Sequence, residues 1–115
     1  MAGQPKPLPA ASLHVVLALL GGEKHGYALM QEVEELSDGS VKMGPGTLYG
    51  TLNRLVGDGL IEETTATRKR GADDDDRRRY YRLTAVGERV ASTELARLQA
   101  LVKRVHARGL RLGPA

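Results

Sequence analysis

The chain has 115 residues, lacks Trp, Phe and Cys, and carries 17 basic against 14 acidic side chains, a net charge of +3. That length predicts one domain with a thin core, which an oligomer would relieve. Without cysteine there is neither a disulfide scaffold nor a thiolate metal site, which fits the cytoplasm, and no run of about 18 apolar residues offers a membrane span. The charge is uneven: residues 1–60 are net −2, residues 61–84 net +1 and residues 85–115 net +4. A basic balance of this size favours a polyanionic partner only weakly. An arginine-rich solvated surface is the plainer reading of charge alone.

Residues 1–11, with Pro5, Pro7 and Pro9, predict an extended or disordered lead-in. The proline-rich start and the absence of a cleavage-like site speak against a secretion signal. Ser12 is a helix cap for a helix over residues 13–20. Leu13, Val16, Leu17 and Leu20 share one face of it, and Val15 and Leu19 widen that face, so it expects burial on more than one side. Gly21 and Gly22 end it.

A second helix spans residues 26–36, with Leu29, Met30, Val33 and Leu36 as its apolar stripe and Glu32, Glu34 and Glu35 toward water. "SDGS" at 37–40 is a turn. The third helix opens at "GPGTLY", where Pro45 suits the first helical position because its missing N–H has no partner there. Leu48, Leu52, Leu55 and Val56 point inward, and Gly57 and Gly59 bracket the end. Three short helices with short connections make a helix-turn-helix preceded by a support helix.

The periodicity then changes. Ile61, Glu63, Thr65 and Thr67 alternate against Glu62, Thr64, Ala66 and Arg68. In "RRRYYRLT", Tyr81 and Leu83 face one way, Tyr80 and Arg82 the other. With "GADDDD" between them these runs predict a β-hairpin with a long charged tip. A two-stranded hairpin is not stable alone, so it must lean on the helices through Leu60, Ile61, Tyr81 and Leu83. The fold class is therefore mainly α with a small β-hairpin: a winged helix-turn-helix over residues 12–84.

A last helix follows over residues 85–108, capped by Thr84, with residues 109–115 as a flexible tail. Ala91, Leu95, Leu98, Val102 and Val105 recur at four and three, and Val86, Val90 and Leu101 broaden the stripe. At about 1.5 Å per residue this helix is roughly 36 Å long, more than so small a head needs. A second copy of the chain is the simplest cover for its surplus apolar face. Folding back on its own domain is the alternative. The expected dimerisation residues are Ala91, Leu95, Leu98, Leu101, Val102 and Val105, with Leu13, Val16 and Leu17 of the first helix packed beside them.

Three segments, "LALLGGEKHGYALMQEV", "GPGTLYGTLNRLVGDGLIEE" and "RRRYYRLTAVGE", resemble the PadR family of bacterial transcriptional regulators, in order and at the expected spacing. The single long C-terminal helix is similar to that of short-chain members, whose C-terminal helices make a homodimer. The resemblance implies a DNA-binding regulator, a repressor on a palindromic operator, and leaves room for a small-molecule inducer. There are departures. Gly50 stands where members often have Pro, four consecutive aspartates are unusual in a wing that touches phosphates, and no Trp is present to sandwich planar drugs as in some small members.

Within that architecture the third helix is the base-reading candidate. Thr47, Thr51 and Arg54 fall at i, i+4 and i+7, opposite the leucines, with Gly46 and Gly50 keeping the side low. Short hydroxyls meet base edges or phosphates, and an arginine reaches guanine or backbone. Tyr49 and Asn53 flank this face. Tyr27 either packs or reaches a phosphate, and His25 caps, packs or meets a phosphate. In the wing, Arg68, Lys69 and Arg70 face Arg77, Arg78 and Arg79 across the aspartates at 73–76, for phosphate binding, local salt bridges or both.

No metal, cofactor or catalysis is expected. His14, His25 and His106 lack ligand spacing, and the aspartate run lacks the spaced ligands and glycine of a calcium loop. No nucleophile, base and orienting group can be assembled. The alternative of another class is a winged helix that binds protein instead of DNA. A DNA binder needs Arg54 and the wing arginines on one positive face.

Overall fold

In the computed structural model, which describes residues 7–64 and 79–110, the chain enters its first helix at a proline. Pro9 stands at the cap of α1 (Ala10–Ala18), and its carbonyl accepts the Leu13 amide at 2.9 Å. Ser12 is therefore not the cap. A proline has no N–H to satisfy and its φ already suits a helix entrance, so the helix starts earlier and carries Ser12 onto its core face, 4% exposed. After Ala18 the chain tightens into a 3-10 turn, Leu19–Gly21, which swings Leu20 out to 51% exposure. The Lys24 ammonium donates to the Ala18 carbonyl at 3.0 Å, placing a cation at the negative end of the helix.

The next element was not expected. Lys24–His25 is a two-residue strand, β1, too short for an alternation signal. It leads directly into α2 (Gly26–Leu36), then α3 (Pro45–Gly57), β2 (Ile61–Thr64), β3 (Tyr80–Leu83) and α4 (Ala85–Ala107). The strands form one antiparallel sheet in the order β1-β3-β2, with Lys24 opposite Tyr81 and Ile61 opposite Leu83. The wing therefore does more than lean on the helices. Its return strand is hydrogen-bonded to the segment that opens α2.

Local hydrogen bonds set where the helices stop. Past α2 the Asp38 amide reaches the Glu35 carbonyl at 3.1 Å and the Gly39 amide the Glu34 carbonyl at 2.8 Å, with Asp38 left-handed at φ 53°. This paired closure satisfies the last carbonyls. The same pairing closes α3, where Gly59 donates to Val56 and Leu60 to Leu55, both at 3.0 Å, and the chain passes straight into β2.

The core joins Val15, Val16 and Leu19 to Leu29 and Val33, to Leu48, Leu52 and Leu55, and to Ile61, Tyr81 and Ala91. Besides Leu20, two stripe residues fall short of it. Leu36 and Val56 lie at the margins of their stripes, 48% and 39% exposed. The expected alternation in β2 also fails. Ile61 and Thr64 are buried while Glu62 and Glu63 are both exposed, each half-exposed in an ion pair with an arginine, Arg82 and Arg79.

Thr84 caps α4 as expected, accepting the Gly87 amide at 3.0 Å. Its hydroxyl lies 2.6 Å from the Gly59 carbonyl and 3.1 Å from that of Leu60, which ties the α4 entrance to the turn after α3. Gly87 packs so closely on Leu60 that a Cβ there would overlap the Leu60 carbonyl oxygen. Farther along, α4 leaves the core. Leu95, Leu101 and Val102 are 40%, 45% and 42% exposed, and Leu98 and Val105 are half-buried.

Candidate nucleic-acid interface

Helix α3 starts with Gly44 at its cap and Pro45 in its first turn. At 100° per residue, Leu48, Thr51, Leu52 and Leu55 form one continuous stripe at i, i+3, i+4 and i+7. Thr51 is consequently buried, 2% exposed, and does not lie on the outward face assigned to it from spacing. The exposed face consists of Gly46, Thr47, Gly50, Asn53 and Arg54, with Tyr49 on its flank. A Cβ at Gly46 or Gly50 would meet nothing within 4 Å, so the backbone itself is the floor of this face between Thr47 and Arg54.

The entrance of α2 meets both β3 and α3. His25 caps α2, its Nδ1 accepting the Ala28 amide at 3.3 Å, and its ring meets Tyr80 of β3 edge-on at 5.4 Å between centroids. Of the three roles open to His25, the structure gives it capping and packing together. Gly26 faces Tyr49: a Cβ there would overlap the Tyr49 hydroxyl and come within 2.9 Å of its Cζ. Tyr27, on the next position round the helix, is 62% exposed. Among the described residues its hydroxyl makes a single long contact, accepting from Gln31 Nε2 at 3.5 Å.

The wing meets the same region. Tyr81 is 2% exposed. Burial pushes its phenol above the ordinary value of 10.0, Glu63 and Tyr49 add to the rise, and the nearby Arg79 guanidinium opposes it. Tyr81 thus marks where α3, β2 and β3 converge. Arg79 pairs with Glu63 at 3.4 Å, and Arg82 pairs with Glu62 at 2.7 Å. Arg68, Lys69, Arg70, Arg77 and Arg78, and the aspartates at 73–76, lie outside the described residues.

Two of the expected dimerisation residues are already used within one chain. Val16 is fully buried and Ala91 is 1% exposed, because both point into the core. Leu13 and Leu17 are half-buried on the opposite flank of α1. A signal that spacing did not give is Glu94, an acid 5% exposed on the inner side of α4, held by Arg97 at 2.8 Å. Among the described residues, no group of three His, Cys, Asp or Glu side chains converges as for a metal ion, and no helix is long and apolar enough to cross a membrane.

Comparison with known proteins fits this arrangement. The model of the transcriptional regulator PadR-like family matches residues 16–93. The chain belongs to that family. The match runs from inside α1 to the middle of α4 and takes in the whole helix-turn-helix and wing. Transcriptional regulator Rv3488 of Mycobacterium tuberculosis is 34% identical over 96 residues, which are 84% of this chain and 82% of that protein. A PadR family transcription regulator from Clostridium difficile superposes with a TM-score of 0.70 at 23% identity, covering 87% of this chain and 97% of the other. A Streptococcus transcriptional regulator gives 0.69 at 23% identity, covering 87% and 92%. At such identities the two structures speak for the fold. This PadR-like chain is a DNA-binding transcriptional regulator.

Proposed function

We propose that this PadR-like regulator is a cytoplasmic repressor that binds a palindromic operator as a homodimer. The observation that carries the DNA reading is the outward face of α3. Thr47, Asn53 and Arg54 stand exposed over an open glycine floor. In this reading α3 enters the major groove, Arg54 reads a base edge, and Tyr27, Tyr49 and Arg79 grip phosphates. Arg68, Lys69, Arg70, Arg77 and Arg78, which lie outside the described residues, are further phosphate-contact candidates from the sequence.

The dimer reading rests on Leu95, Leu98, Leu101, Val102 and Val105, an apolar strip of α4 that its own head leaves uncovered. Leu13 and Leu17 of α1, a helix that packs on α4, join it in this reading. Two heads on a two-fold axis take half-sites one or two helical turns apart, and a compact dimer over a promoter blocks polymerase. Footprinting on the DNA around the gene tests both parts together. Two protected patches about 34 Å apart, or a multiple of that, with related sequence are expected. No protection there or across the genome, with the protein intact, would favour a protein-binding winged helix instead.

A further inference from the structure

We propose that Glu63 is an internal phosphate mimic. It holds Arg79 in an ion pair that DNA must displace, and so lowers the protein's sequence-independent affinity. The inference rests on the DNA-binding reading above.

The register makes the argument. Glu63 sits opposite Tyr81 in the β2–β3 ladder, and Arg79 precedes Tyr81 by two residues, so Glu63 and Arg79 are diagonal neighbours on one face of the ribbon. Their side chains meet at 3.4 Å while remaining 42% and 62% exposed. This face packs toward α3, since α3 contacts β2 and Tyr81 is buried in the core with Leu48, Leu52 and Leu55 of α3. In the DNA-binding reading a duplex seated on α3 also meets the ribbon beside it, and Arg79 is an exposed cation on the Tyr81 face of that ribbon. A guanidinium takes a carboxylate and a phosphate by the same geometry. An exposed pair is weak enough to be exchanged, but the exchange subtracts from the affinity gained. With a genome of competing sites, a moderated phosphate grip keeps the regulator from being spread over random DNA.

The opposite face of the ribbon supplies a control. Glu62 and Arg82 are direct Cα partners and pair at 2.7 Å with both side chains 48% exposed, but they alternate away from Tyr81 and α3. Glu62→Gln and Glu63→Gln remove the same charge from the same strand. Only the second frees an arginine on the Tyr81 face.

The experiment is fluorescence anisotropy of the full chain with operator and scrambled duplexes, for the wild type, Glu62→Gln, Glu63→Gln, Arg79→Ala and Glu63→Gln/Arg79→Ala. Circular dichroism melts check the fold of each. Glu63→Gln should tighten both duplexes about two- to five-fold, the range of an exposed ion pair, and leave the ratio between them unchanged. Glu62→Gln should tighten them distinctly less, and Glu63→Gln should tighten nothing in the Arg79→Ala background. Equal effects of the two glutamate substitutions, or a tightening that survives without Arg79, would reduce the result to net charge and overturn the proposal. A folded wild type that binds neither duplex at low salt would instead overturn the DNA-binding reading and this inference with it.

Discussion

The hydroxyl of Tyr49 occupies the space in which any residue but glycine at position 26 would carry its Cβ. The first turn of α2 and the flank of α3 therefore touch through a missing atom. Gly26 is buried and Tyr49 is 41% exposed, so the ring is the part free to move. Gly26→Ala should leave stability within about 1 kcal/mol, since alanine also favours a helix. It should tilt Tyr49 and weaken operator binding by about 0.5–1.5 kcal/mol, the worth of one hydrogen bond. Tyr49→Phe should lose a similar amount. Thermal melts with DNA titrations separate the two effects. A variant that melts early yet grips DNA normally would show that Gly26 serves packing alone.

Arg54 and Thr51 should behave in opposite ways. Arg54 is exposed on α3 and Thr51 is buried beneath it. Arg54→Ala should cost about 1–3 kcal/mol of discrimination between operator and scrambled DNA. Thr51→Val, which keeps the side chain's shape, should leave that discrimination intact. Titration of both duplexes with both variants decides this. Equal losses on the two duplexes for Arg54→Ala would mean that this residue grips phosphate without reading sequence.

The two kinds of apolar residue on α1 and α4 should part in the same manner. Leu98→Asp with Val102→Asp charges the uncovered strip and should give a folded monomer by sedimentation, where the wild type is expected to sediment as a dimer. Val16→Asp buries a charge in the protomer core, where the side chain is 0% exposed. It should cost about 3–5 kcal/mol of stability in urea unfolding. A wild type that sediments as a monomer at tens of micromolar would sink the dimer reading.

Tyr81 predicts a pH dependence. Its phenol titrates above 10.0 in the folded chain, chiefly through burial. The native state thus holds this proton more tightly than the unfolded chain. The stability it contributes is fully present below about pH 10 and is lost as pH rises through the higher folded value. Urea midpoints from pH 8 to 11 should fall more steeply for the wild type than for Tyr81→Phe. Parallel curves would show that other groups control the alkaline limb.

Much of this molecule was determined by local pattern. The leucine spacing of α3, the capping threonine before α4, Pro45 in the first turn and the glycines after the helices each act through near neighbours along the chain. Helix bounds such as 26–36 therefore followed from sequence, and the motifs carried the family. What the tertiary structure decided were matters of contact between distant segments. Whether Thr51 faces water or core depends on how wide the buried stripe of α3 becomes once α1 and α2 pack on it. Val16 and Ala91 read as surface for a second chain until the head closed over them. The two-residue strand at Lys24 exists only because β3 offers it an edge. The overlap of Gly26 with Tyr49 and the pairing of Glu63 with Arg79 join residues more than a dozen positions apart, and no periodicity encodes such a meeting. Sequence pattern reports which faces are apolar, but only packing decides which of those faces one chain can cover by itself.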